Sequence, residues 1–104
     1  MNTSASASRL SSDFENYFPE YISENYPEAT SVTVTARPEG DLVAVTAEIQ
    51  HGPYADGEIP RWNRLPEYIT QDWSDREGEP ISACDTTSED DGKTVTVKFT
   101  VEHA

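Results

Sequence analysis

Hydrophobic positions along this chain follow two spacings, one helical and one extended. Phe14, Tyr17, Phe18, Tyr21, Ile22 and Tyr26 recur at steps that place them on one stripe of a helix expected over residues 12–26. Ser12 stands where a helix cap is wanted, and Glu15 follows at the capping-box spacing. After Pro27 the period changes to two. Val32, Val34 and Ala36 alternate with polar residues over 31–36, and Pro38-Glu-Gly-Asp41 supplies turn chemistry. Val43, Val45, Ala47 and Ile49 then mark the return strand over 42–50.

The second half runs through the same order. A helix is expected over 61–74, a weaker strand over 81–86, and an exposed turn over 87–92. In a last strand over 93–102, Val95, Val97, Phe99 and Val101 face one way, and Thr94, Thr96, Lys98 and Thr100 the other. The predicted fold is α+β in the order α-β-β-α-β-β. It is a two-layer sandwich: a four-stranded antiparallel sheet with two helices on its apolar face.

This order reflects an internal likeness. Phe18-Pro-Glu-Tyr-Ile-Ser-Glu-Asn-Tyr26 aligns with Leu65-Pro-Glu-Tyr-Ile-Thr-Gln-Asp-Trp73, identical over the central Pro-Glu-Tyr-Ile. Val43, Val45, Ala47 and Ile49 fall on Val95, Val97, Phe99 and Val101, and Gln50-His51 on Glu102-His103. We read an α-β-β duplication, with pseudo-repeats over 11–50 and 61–104 in a single domain over 11–104. The linker over 51–60 has two Gly and two Pro. Residues 1–10, rich in Ser and Ala, are expected to be a disordered leader. Pro19 and Pro66 match, and each signals either a kink or the first turn of a shorter helix.

Charge narrows the function classes. Twenty acidic residues against seven basic ones give a net charge of −13. Both halves share the excess, so it is no acidic tail. Direct binding to nucleic acid phosphates or to an anionic membrane is disfavoured by repulsion. No apolar run reaches the roughly 20 residues of a bilayer span, and no basic-then-apolar secretion signal opens the chain. A cytoplasmic protein is expected.

Chemistry-bearing motifs are sparse. Cys84 is the only cysteine and reads as a small apolar strand residue. His51 and His103 end two strands and read as exposed, so no metal site and no cofactor are expected. No nucleophile elbow or phosphate-binding glycine loop is present, and Asp90-Asp-Gly92 lacks the ligand spacing of a calcium loop. An enzyme is not expected.

Two features suggest recognition. Arg61, Trp62 and Arg64 form a basic-aromatic cluster before the second helix; the competing reading makes Trp62 core and pairs the arginines internally. Glu20, Glu24, Glu67 and Asp72 belong to rows of helical carboxylates that can imitate nucleic acid charge. The expected function is therefore that of a small acidic interaction protein binding a basic protein partner. A nucleic-acid-mimicking inhibitor of a phage or other mobile element fits this by charge and size alone. Two alternatives stay open: a halophile-adapted cytosolic domain of structural or housekeeping role, and a virion or scaffold component that self-assembles into a homo-oligomer.

Overall fold

The computed structural model describes residues 3–40, 42–52 and 62–103. The elements are α1 (Thr3–Asn25), β1 (Ala29–Glu39), β2 (Leu42–His51), a short 3-10 turn (Trp62–Arg64), α2 (Leu65–Glu77), β3 (Ile81–Asp90) and β4 (Thr94–His103). This is an α+β fold with two helices and a four-stranded antiparallel sheet in the order β1-β2-β4-β3. Only residues 51 and 52 of the expected linker lie among the described residues.

Helix α1 begins earlier than its sequence pattern suggests. Ala7 and Leu10 are buried and continue the stripe of Phe14, Phe18 and Ile22 toward the N-terminus. Residues 3–10 are therefore opening turns of α1, where a disordered leader was expected. Ser12 consequently sits inside the helix and caps nothing. Its expected partner Glu15 instead accepts the Ala36 N–H of β1 at 3.0 Å. Pro19 lies inside α1, and its missing amide removes the bond to the carbonyl four residues back, a defect of about 3 kcal/mol. Burial of Phe14, Phe18 and Ile22 on either side offsets that cost at roughly 1.5–3 kcal/mol each.

Pro66 is placed differently. It occupies the first turn of α2, where its absent N–H would have lacked a helical partner anyway. The helix starts at Leu65, later than expected, after the 3-10 turn. Gly78 closes it with φ +68° and donates its N–H to the Ser74 carbonyl at 2.9 Å. The matched prolines thus differ: Pro66 takes the first-turn alternative, whereas Pro19 lies within a helix continuous over Thr3–Asn25.

Inward positions of all four strands join both helices in one core. Phe14 stacks on Phe18 at 4.5 Å and meets Trp73 of α2 edge-on at 5.4 Å. Phe18 stacks in turn over Phe99 of β4 at 6.1 Å. The central register has an internal symmetry. Val43 pairs with Val101 and Val45 with Phe99; shifting by one repeat carries these onto Val95–Ile49 and Val97–Ala47, which also pair. Exchanging the hairpins reproduces the strand order as well.

Strand β3 reaches Asp90, past its expected end at 86, by absorbing a bulge. Its register shifts between Cys84 and Thr87, where Asp85 adopts φ +52°. The extra residue reverses which side chains face the helices. Ala83 lies opposite Val101 before the bulge, and Asp90 lies opposite Val95 after it.

Both sheet edges carry blocking contacts. Glu15 occupies the outward amide of Ala36 on β1, and Pro38, two residues on, has no amide to offer. On β3 the Ile81 N–H is taken by Ser74 Oγ at 3.0 Å.

Candidate functional site

A cleft of about 330 Å³ runs between the exposed flanks of α1 and α2. Helical spacing builds both walls. Tyr17, Tyr21 and the carboxylates Glu20 and Glu24 follow one another at single turns along α1, and Asp72 and Arg76 do so on α2. A second depression of about 290 Å³ shares Tyr17 and Glu20 with the first, and adds Asp13, Asn16, Trp73 and Glu77. Among the described residues, five carboxylates thus line the two hollows, and Arg76 is the one cation there.

Tyr17 ties the walls together. Its hydroxyl donates to Asp72 Oδ2, and the Arg76 Nε lies 3.6 Å from the same oxygen. The Arg76 guanidinium also sits 5.5 Å from the Tyr17 ring centroid, a cation–π placement. Asp72 and Arg76 are both substantially exposed, so their ion pair contributes about 1 kcal/mol at most. The wall is therefore held mainly by the Phe14, Phe18 and Trp73 cluster beneath it. Burial, with Tyr68 nearby, pushes the Tyr21 phenol above its ordinary value, so this hydroxyl stays a donor at neutral pH.

Three of the residues expected for binding, Glu20, Glu24 and Asp72, come together in this cleft. The described members of the basic-aromatic cluster, Trp62 and Arg64, make contacts within the chain. Trp62 is buried and packs on Tyr26 with ring centroids 4.8 Å apart. Arg64 pairs with Glu67 within the first turn of α2 at 3.2 Å, away from the cleft lining. Arg61 lies outside the described residues.

No family model matches the chain, and no curated protein or solved structure matches it significantly.

Sequence reasoning missed Tyr17, Tyr21 and Arg76 as cleft residues. Both tyrosines had been assigned to the core stripe, and they lie on its half-buried flank. The signal was the one-turn spacing of Tyr17 with Tyr21 and of Asp72 with Arg76, which needs the helix–helix contact before it means anything.

The remaining chemical groups lie elsewhere. Cys84 points to the outer sheet face, with its Sγ 3.5 Å from the Thr100 carbonyl. Burial, then Glu102 and Asp85, push its thiol above the usual value and away from the reactive thiolate. His51, expected as an exposed strand end, is buried. Its Nδ1 lies 2.9 Å from the Gly52 carbonyl and its Nε2 3.0 Å from Asp90 Oδ1. No group of three potential metal ligands occurs among the described residues, and no helix there is long and apolar enough to cross a membrane.

Proposed function

We propose that this chain is a non-enzymatic, cytoplasmic interaction protein that binds a basic protein partner through the carboxylate-lined cleft between α1 and α2. The observation carrying this reading is the convergence of Glu20, Glu24 and Asp72, with Asp13 and Glu77 beside them, around a tyrosine-walled hollow. Carboxylates accept hydrogen bonds from lysine or arginine, and the Tyr17 and Tyr21 faces take a cation by π contact. Arg76 already sits over Tyr17 in this way. A surface of this kind occupies a nucleic-acid-binding groove by presenting negative charge in place of phosphate, as a mobile-element inhibitor would. The internal α-β-β duplication belongs to the same proposal, supported by the symmetric β2–β4 register.

The test is capture of host proteins on the immobilised chain, followed by binding measurements with each purified candidate. The expected partner is basic, competes with nucleic acid, and weakens by at least about tenfold between roughly 0.05 and 0.5 M salt. Glu20→Gln, Glu24→Gln and Asp72→Asn together abolish its binding. A partner indifferent to both salt and these substitutions refutes the reading.

A further inference from the structure

His51 occupies an unusual position for an imidazole that ends a strand. It follows Ile49 by two residues on the helix-facing side of β2, opposite Ala29 of β1, and its side chain is only 1% exposed. Each ring nitrogen faces an oxygen acceptor: Nδ1 the Gly52 carbonyl, Nε2 the Asp90 carboxylate. A neutral imidazole has one N–H and satisfies one of these; only the imidazolium donates to both. The bulge in β3 is what makes the second contact available, because it turns Asp90 to the same face as His51.

Asp90 is itself part of a built turn. Its Oδ1 accepts the Gly92 N–H at 2.9 Å as well as His51 Nε2. Asp91 Oδ1 accepts the N–H groups of Lys93 and Thr94 at 2.9 and 2.8 Å. The backbone of His51 joins the same turn by donating its N–H to the Lys93 carbonyl at 2.9 Å. One imidazole therefore links the end of β2, in the first hairpin, to the β3–β4 turn of the second.

We propose that His51, Gly52 and Asp90 form a proton-operated latch between the two hairpins. With the ring charged, both bonds hold and the β3–β4 turn is clamped to the end of β2. With the ring neutral, only one nitrogen can donate and the attraction between imidazolium and the Asp90 carboxylate is gone, so the clamp on the turn weakens although the His51 backbone N–H still holds the Lys93 carbonyl. Among the described residues, the charged groups acting on the ring are Asp90 of β3 and Asp91 of the turn, both of which favour the imidazolium, and Ala29 on β1 carries no charge. The imidazole's protonation midpoint is raised above 6.5, first by the Gly52 carbonyl and then by Asp90, against the opposing effect of burial. The latch's contribution to stability is therefore complete below the unfolded value near 6.5 and is lost as pH rises through the higher folded value.

Ring ¹⁵N shifts, followed from pH 5 to 9 on the full chain in a His103→Gln background, test this directly. Both His51 nitrogens are expected to be protonated at pH 6.5, with a midpoint above that value. Asp90→Asn, which keeps an oxygen for Gly92 and removes the charge, lowers the midpoint. The melting temperature of the unaltered chain is expected to fall by about 4 °C or more across that rise in pH, and by less in Asp90→Asn. A midpoint at or below 6.5 overturns the latch. So does an alkaline loss of stability that is the same in Asp90→Asn and the unaltered chain.

Discussion

Phe14 is the side chain on which the α1–α2 contact, and so the cleft above it, most depends. It is fully buried, stacks on Phe18 at 4.5 Å and meets Trp73 at 5.4 Å. Phe14→Ala removes the ring between the two helices and leaves a void that packed neighbours fill only in part. Such truncations cost about 3–5 kcal/mol, and two lost aromatic contacts place this one near 4. A chain of this length has roughly 5–15 kcal/mol in total. The melting temperature should therefore fall by about 15 °C, at the lower bound of roughly 4 °C per kcal/mol. Tyr68→Ala is the control. It removes a ring of similar size that is 45% exposed, and should cost about 1 kcal/mol. Thermal and urea unfolding followed by circular dichroism measure both. If Phe14→Ala costs no more than Tyr68→Ala, the helices do not meet as described and the cleft loses its floor.

Other outcomes follow from single contacts. Glu15→Ala uncovers the Ala36 amide on the β1 edge; a loss of about 1 kcal/mol and concentration-dependent association by light scattering are expected, both milder in Glu15→Gln. Asp91 is held below its ordinary value of 3.8 by the N–H groups of Thr94 and Lys93, so its stabilisation is present above that value and lost as pH falls through the lower folded one. Melting temperatures of Asp91→Asn between pH 2 and 5 should show a flatter acid limb. Glu20→Gln with Glu24→Gln relieves repulsion along one face of α1, so this double variant should melt higher than the parent in dilute buffer. The gap should close by about 0.5 M KCl as screening shortens the reach of charge. A parent midpoint that keeps climbing into molar salt would instead favour the halophile reading.

Period alone carried the strands well. Val43 through Ile49 and Val95 through Val101 alternate so strictly that their inward faces follow from spacing. Proline and bulge chemistry was ambiguous. Pro19 and Pro66 occupy matched sequence positions, yet one lies within a helix and the other opens one, because Ala7 and Leu10 give α1 extra apolar turns to bury. Polar residues in α1 obscured that extension: Ser11, in a Ser-rich stretch, is buried and satisfies itself by donating to the Ala7 carbonyl at 2.8 Å. The cleft was half legible. Glu20, Glu24 and Asp72 were found by charge, and Trp62 takes the core position that the competing reading gave it, through its contact with Tyr26. Sequence spacing describes one helix at a time, and this site exists only between two.

The distribution of cations says more about this surface than the total charge does. Each described arginine of the helical layer is paired within that layer: Arg9 with Asp13 and Glu79, Arg64 with Glu67, Arg76 with Asp72. Glu20 and Glu24 receive no such cation among the described residues, so the cleft keeps its negative field. Arg37 and Lys98 lie on the opposite, outer face of the sheet and have no ion pair among the described residues. Self-assembly through strand edges meets a separate obstacle, because Glu15, Pro38 and Ser74 occupy or remove edge donors that an added strand would use. With the β1 edge and the start of β3 blocked, and the helical arginines paired within their layer, the cleft flank of Glu20 and Glu24, which have no ion pair among the described residues, is where we propose that a positively charged partner binds.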